Sequence, residues 1–517
     1  MMLNIRLEDI SEYIRNRIEC AREVNPSEEP IMVEPYEARI LWGPWVFSLI
    51  SAAYGTGKTF TGLYFYHTSR KNRDVYATYV NMREIPEELR EAPFLKPYYR
   101  ELNRSPGTTL IDLILPIILD PRGVKKYVNS IKTTIPDELS NIGRQILSSE
   151  KGVERILDEF LPNIDKEIIV IIDEFERVVI QEEQLRQLAE LARILREYVY
   201  DKYGPTKIKL VVLAPEYVLN VNCLEYIRSI FIENQWRHVE GVSKLSVLSS
   251  FDKEKLKKLA EKILSELELR DLDGNLPVTE AELDLLCHRC EMFRKTRVSV
   301  AKLIHSLSQI ILKLVRENDS NIQTLEELRM KLKSGDLTWD YRVREEFIED
   351  LFSDITLEEK VIYDGKYSKL GDKWLKILES FVKDLTENGR KYGYSLLTKR
   401  KGFYSYIITS KTENKRWILW LRTSDIRRPD ILANHIPYLN PEVSKKSNTT
   451  VICLHPIDTK IHKLLEKFSG VEVVALDKYE LIALLYNSGH EKVADPETAN
   501  QDYYELRSKI NAIITRR

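Results

Sequence analysis

Ser51-Ala-Ala-Tyr-Gly-Thr-Gly-Lys-Thr59, entered from the apolar run Trp45–Ile50, decides the fold of this chain. An apolar strand, a glycine-rich turn and a helix opening at Lys58 together read as a phosphate-binding loop. The backbone N–H groups of Tyr54, Gly55, Thr56, Gly57, Lys58 and Thr59 would wrap a triphosphate, helped by the positive end of the helix dipole. Lys58 is placed to reach the β- and γ-phosphates, and the Thr59 hydroxyl to ligate Mg2+. The signature G-x-x-x-x-G-K-[ST] asks for glycine where this chain has Ala52. Alanine adds a single methyl near the turn, so the loop reads as intact.

A later stretch completes it. Ile168-Ile-Val-Ile-Ile-Asp-Glu174 runs apolar residues straight into paired carboxylates, the pattern of a strand buried on both faces of a parallel sheet. Asp173, at its carboxyl end, would hold the Mg2+ shell, and Glu174 would polarise the attacking water. Loop and acid strand in this order imply ATP and Mg2+ as ligands and ATP hydrolysis as the reaction. Glu174 and Lys58 are the expected catalytic groups.

Composition sets the frame around these motifs. A length of 517 residues suggests about three domains at ~150 residues each. Hydrophobic residues make up 43% and charged residues 31%, enough for packed cores and against dominant disorder. Lys+Arg 78 against Asp+Glu 80 leaves a net charge of −2, so local patches must decide whether nucleic acid is a partner. The apolar runs fall short of the ~20 residues that span a bilayer, and Met1–Cys20 is too charged for a secretory signal. Only 5 cysteines in this length form no disulfide framework, so a cytoplasmic setting is expected. The abundance of Ile, Lys, Glu and Arg leans toward a thermophile.

Periodicity divides the chain. Leu7, Ile10, Ile14 and Ile18 share one helical face, giving an N-terminal helix in residues 1–40. Residues 41–240 alternate strands with helices: a helix over Thr59–Ser69, the strand Val75–Val80, a helical stretch over 107–160 broken at Pro116 and Pro136, the Asp173 strand, a helix over Glu183–Tyr198, and the strand Lys207–Leu213. That alternation predicts a parallel sheet with both faces covered. Residues 241–315 read as a helical lid (Asp252–Leu267, Thr279–Cys290, Ser299–Val315), and 316–354 as a charged helical connector. In 355–517 the texture changes to a C-terminal α/β domain. A helix carrying Trp374, Leu378, Phe381 and Leu385 leads into strands Tyr394–Leu397, Phe403–Thr409 and Trp417–Arg422, with a hairpin turn at Lys411–Lys415. A βαβα run follows: Thr450–Leu454, Ile461–Phe468, Val471–Leu476 and Glu480–Tyr486.

With loop, acid strand and helical lid in place, residues 40–310 resemble an AAA+ ATPase. Among those they are most similar to archaeal ATPases related to replication initiators of the origin-recognition type. Tyr79-Val-Asn-Met82 resembles that family's tyrosine-valine-asparagine segment, and Asp173-Glu174 runs at once into Phe175-Glu-Arg177. Arg228…Phe231 and Trp236-Arg-His-Val-Glu240 fall where such proteins place a basic segment ahead of the lid. The resemblance implies a P-loop NTPase core of AAA+ type, a sensor 2 arginine at Arg297, and an arginine finger at Arg228 or Arg237 acting in a homo-oligomer. It also implies a polar sensor 1 near Ala214-Pro-Glu216, where the Glu216 carboxylate would instead repel a γ-phosphate. The tail's order resembles the restriction-endonuclease-like fold. Its second and third strands, Phe403-Tyr-Ser-Tyr406 and Trp420-Leu-Arg422, lack the carboxylates that a nuclease centre needs.

Some signals are weaker. Cys287-His-Arg-Cys290 has zinc-ligand spacing without a second pair and reads as half-buried helix; the 8 histidines form no H-x-x-x-H pattern. In the hairpin 390–416, Arg390-Lys391, Lys399-Arg-Lys401, Lys411 and Lys415-Arg416 interleave with Tyr392, Tyr394, Phe403, Tyr404 and Tyr406. Cations alternating with stacking faces suit nucleic acid, and aromatics turned into a core are the bland alternative. Two function classes stay open: an ATPase switch or remodeller in a DNA transaction such as replication or a mobile element, and a STAND-type signalling or defence switch whose tail binds protein.

Overall fold

The apolar runs on either side of the loop become neighbouring strands of one sheet. The computed structural model describes all residues except 1–4, 24–26, 54, 85–94, 106–108, 150, 178–180, 205–206, 220, 234–242, 340–344, 388–391, 401–402, 423–448, 457–470, 490–492 and 516–517. Tyr54, Arg237 with the rest of Trp236–Glu240, Arg390, Lys391, Lys401 and the expected helix Ile461–Phe468 therefore lie outside the described residues. The chain is mixed α/β and divides into Met1–Ile348 and Glu349–Arg517.

In the first unit, strands β1 (Phe47–Ala52), β2 (Val75–Asn81), β3 (Lys132–Thr133), β4 (Glu167–Asp173) and β5 (Ile208–Pro215) are followed by a small hairpin, β6 (Tyr217–Val218) with β7 (Val221–Asn222), and then β8 (Ser243–Val247). The sheet runs β3-β2-β4-β5-β1-β8, parallel throughout except for β3. Ile168–Ile172 and Leu210–Leu213 are fully buried, as a strand covered on both faces requires. Register sets Asn81 beside Asp173 and Ala52 beside Pro215, so the carboxyl ends of β1, β2, β4 and β5 finish at one edge of the sheet. In open α/β sheets that edge is where ligands bind.

Several elements differ from their sequence reading. Pro116 does not break a helix but sits inside Leu110–Leu119. A proline here removes the N–H that would serve the Asp112 carbonyl, and the Tyr99 hydroxyl donates to that oxygen instead at 2.5 Å. The short strand β3 interrupts the expected helical stretch, its Thr133 hydroxyl 2.9 Å from that of Thr78. The supposed connector is partly built into the lid. Helix Leu325–Ser334 buries Leu325, Leu328 and Leu332, Arg329 donates to the Leu267 carbonyl at 2.9 Å, and the Trp339 indole donates to the Leu269 carbonyl at 2.8 Å.

The lid itself comprises Lys253–Glu266, Glu280–Glu291 and Thr296–Asn318. Among the described residues Thr296–Asn318 alone is long and apolar enough to cross a membrane, but 56% of that window is buried. It packs against the other lid helices and Ile10–Glu19. Cys287 and Cys290 are both fully buried in Glu280–Glu291, and burial pushes the Cys287 thiol up to about 12.

The second unit holds β9 (Tyr392–Arg400), β10 (Phe403–Ser410), β11 (Arg416–Arg422), β12 (Thr449–Pro456) and β13 (Val471–Leu476), ordered β13-β12-β11-β10-β9. The first three of these form an antiparallel meander, and β11, β12 and β13 run parallel. Helix Lys373–Glu387 packs on β9 and β10 through its Trp374, Leu378, Phe381 and Leu385 stripe.

Candidate functional site

The expected phosphate loop leaves β1 at Ala52, whose side chain is buried in the core and whose carbonyl accepts the Glu216 amide at 3.0 Å. Ala52 is thus still a strand residue, and the methyl that replaces the signature glycine has a place to go. Left-handed backbone begins later, at Gly55 (φ 84°) and Gly57 (φ 100°). Gly57 caps helix Lys58–Lys71, aiming that helix's free N–H groups into the loop. Lys58 is buried, its ammonium 3.5 Å from the Ala52 carbonyl, which leaves most of its donor capacity for a phosphate.

Asp173 meets the loop at this point. Its carboxylate accepts hydrogen bonds from Thr59, from the Tyr79 hydroxyl at 2.9 Å and from the Glu174 amide at 2.9 Å. Burial is complete and raises its pKa to about 6, against the lowering pull of the Thr59 and Tyr79 bonds. A fully buried carboxylate beside a loop hydroxyl, with no cation bonded to it among the described residues, is a donor set that suits Mg2+. Glu174 adopts φ 57°, a left-handed conformation uncommon for a non-glycine residue. Glu176, from the following turn, lies against Glu174 and is pushed up by burial and by that neighbouring carboxylate. Its Oε2 is buried without a hydrogen-bond partner.

The helices expected as a lid meet the loop from the other side. The Thr296 amide donates to the Gly55 carbonyl at 2.7 Å, and its hydroxyl donates to the Thr56 carbonyl at 2.8 Å. That same hydroxyl accepts the Phe251 amide at 3.3 Å, and Phe251 packs edge-on against Phe60 at 5.3 Å. A Cβ on Gly55 would come within 3.0 Å of the Lys295 side chain. Arg297 follows in the helix's first turn and is exposed.

The structure therefore gathers Gly55, Thr56, Gly57, Lys58, Thr59, Asp173 and Glu174 at one sheet edge, with Arg297 one residue beyond the Thr296 contact. Arg228 stands elsewhere, exposed on helix Cys223–Glu233. Sequence reasoning missed Tyr79 as an Asp173 partner, Glu176 and Thr296. Tyr79 left a signal only as part of the Tyr79-Val-Asn-Met82 segment and Glu176 as a third acid after Asp173-Glu174, while Thr296 left none. In the second unit the hairpin expectation needs correcting. Tyr404 and Tyr406 are buried and Tyr392 packs edge-on against Trp417 at 5.6 Å, so Tyr394 is the one of these rings classed as exposed among those described. Lys415 is paired with Glu413 at 3.0 Å.

No protein-family model matches this chain, and no curated protein matches it by sequence. Solved structures do show similarity at low identity. The ORC2 protein of Aeropyrum pernix in ADPNP-ADP complexes is 14% identical over 97% of this chain and 95% of that one, with a TM-score of 0.32. The A. pernix ORC1 protein in complex with DNA is 13% identical over 73% of this chain and 78% of its own, TM-score 0.31. Drosophila ORC bound to DNA is 14% identical over 74% and 73%, TM-score 0.27. TM-scores of this size do not assign the chain to a family.

Proposed function

We propose that the first unit is an ATP-binding and ATP-hydrolysing domain of AAA+ type, acting as a nucleotide-dependent switch. The observation that carries this is the meeting of Thr59 and Asp173 below a loop whose left-handed glycines precede a buried lysine. Lys58 would neutralise the transferring phosphate, Thr59 and Asp173 would hold Mg2+, and Glu174 would orient and deprotonate water. Mg2+, held by Thr59 and Asp173, would supply charge neutralisation to the phosphates. Thr296 couples the lid to the loop, which is what a switch of this kind needs. Lys58→Ala is expected to abolish ATP binding in a filter assay. Glu174→Gln should bind ATP and retain it unhydrolysed, and turnover equal to that of the parent removes the assignment.

We infer further that the switch serves a DNA transaction, on the initiator-like Tyr79-Val-Asn-Met82 segment and the cations of the hairpin. The C-terminal unit we read as a restriction-endonuclease-like fold without its nuclease centre. Its helix, antiparallel meander and parallel crossover support the fold, and the absence of carboxylates on β10 and β11 supports the loss. Glu216, a carboxylate where a polar sensor 1 is expected, with its amide bonded to the Ala52 carbonyl at the end of β1, favours a second reading as a slow STAND-type switch. ATPase rates with and without DNA separate the two.

A further inference from the structure

Tyr79 reaches along the sheet to Asp173. Parallel pairing of β2 with β4 sets Tyr79 beside Ile171 and Asn81 beside Asp173. Alternation puts Ile171 and Asp173 on one face, so Asp173 lies two residues, about 6.6 Å, farther along that face than Tyr79's own neighbour. The long phenol side chain spans the gap, and its hydroxyl donates to Asp173 Oδ2 at 2.9 Å. Its ring runs beneath helix Lys58–Lys71, where Gly62 makes the room: a Cβ on Gly62 would lie 3.1 Å from the Tyr79 Cε2 and 2.7 Å from the Leu213 Cδ1. One turn on, the Tyr66 ring centroid stands 6.3 Å from that of Tyr79, and both rings are buried. One turn back from Gly62 is Thr59, which also bonds Asp173.

We infer that Tyr79 is a positioning residue for Asp173: its hydroxyl fixes the plane of a carboxylate that serves Mg2+, and Gly62 seats its ring. This role rests on the ATPase reading, which makes Asp173 a Mg2+ ligand. A carboxylate offers about four lone-pair positions. The Tyr79 hydroxyl takes one on Oδ2, the Glu174 amide takes one on Oδ1 at 2.9 Å, and Thr59 takes a third. Held through both oxygens, the carboxylate cannot turn about its Cβ–Cγ bond, and the position that remains is aimed. Without the Tyr79 hydroxyl the charge stays but the aim is lost. Metal binding then weakens, while Lys58 and the loop amides keep their hold on the phosphates. Hydrogen-bond partners behind a metal ligand are typically worth about 10–100-fold in metal affinity.

The test is a Mg2+ titration of binding of the fluorescent analogue mant-ATP to the full chain, with EDTA as the metal-free reference. Tyr79→Phe should bind mant-ATP in EDTA as the parent does, yet need about 10–100-fold more Mg2+ to reach the tighter complex. A tyrosine that only fills the core would leave that midpoint in place, because phenylalanine fills the same space. Gly62→Ala should raise the midpoint as well. The double variant should shift it no further than Tyr79→Phe alone, since the hydroxyl that the new methyl displaces is already gone. An unshifted midpoint in Tyr79→Phe, or equal weakening with and without metal, overturns the inference. Shifts that add in the double variant overturn the part given to Gly62. A parent that binds mant-ATP without regard to Mg2+ overturns the role of Tyr79 alone, whereas a parent that binds none overturns the ATPase reading with it.

Discussion

Asp173 shows what a buried carboxylate does to its own fold. Its folded pKa of about 6 stands above the ordinary 3.8, so the folded state holds a proton that the unfolded chain has already released between those values. Stability from this group is therefore lost as pH rises through that window and stays lost above it. Asp173→Asn removes the buried charge and keeps the side-chain shape. Thermal melts should find the nucleotide-free variant more stable than the parent above neutral pH, by about 1–3 kcal/mol, with the gap closing near pH ~4. The same variant should lose the extra stabilisation that Mg-ATP gives the parent. A nucleotide-free variant less stable than the parent at high pH contradicts the burial argument. Lys58, Thr59, Asp173 and Glu174 could be singled out in the sequence because a glycine-rich turn and an apolar run ending in carboxylates are local patterns, and the structure brings Thr59 to Asp173. Tyr79 was legible only as part of a family-like segment. Its bond to Asp173 depends on the β2–β4 register, which no local pattern encodes.

At the scale of elements, apolar density decided what could be read. The strands β4 and β5 are buried on both faces and announce themselves as continuous apolar runs, whereas β8, Ser-Lys-Leu-Ser-Val, is a short edge strand with three of its five residues polar. Contacts between helices are equally silent in sequence. Gly143, in helix Asp137–Leu147, would place a Cβ 2.1 Å from the Leu119 carbonyl oxygen, a clash with backbone that no rotamer relieves. Gly143→Ala should cost about 1–3 kcal/mol in denaturant unfolding, although alanine is the better helix former; a neutral or stabilising result denies the close packing. The lid contact can be tested in the same way. Thr296→Val keeps volume but deletes the hydroxyl that joins the Thr56 carbonyl to the Phe251 amide. Hydrogen exchange should rise at the start of Thr296–Asn318 and around the loop while the far end of that helix keeps its protection. Exchange unchanged at the loop means the lid is not held there.

For the whole molecule, the change of texture near residue 355 and the boundary between Ile348 and Glu349 fall close together, because a new core requires its own apolar helix and strands. What the second unit does was less legible, since an aromatic on a strand reads the same whether it faces solvent or core. Tyr404 and Tyr406 went to the core, which moves the burden of any nucleic-acid contact from stacking to charge. Charge-only contact makes definite demands. Binding should be indifferent to sequence and fall linearly in log K against log salt, with a slope of about −0.9 per duplex phosphate neutralised. Neutralising Lys399, Arg400 and Lys401 together should reduce that slope by up to about three such units and reduce any stimulation of ATPase by DNA. Tyr394→Ala should change little on duplex DNA and weaken single-stranded binding by about 1–3 kcal/mol only if a base stacks on that ring. Plasmid, linear and single-stranded DNA should remain uncut in Mg2+ or Mn2+, because neither β10 nor β11 offers a carboxylate to hold a metal ion beside a phosphodiester. Cleavage that vanishes on mutating a residue of 390–430 would show a nuclease centre built from other groups. A salt-independent affinity, or none at low salt, would leave the hairpin without a nucleic-acid role and turn the second unit toward a protein partner.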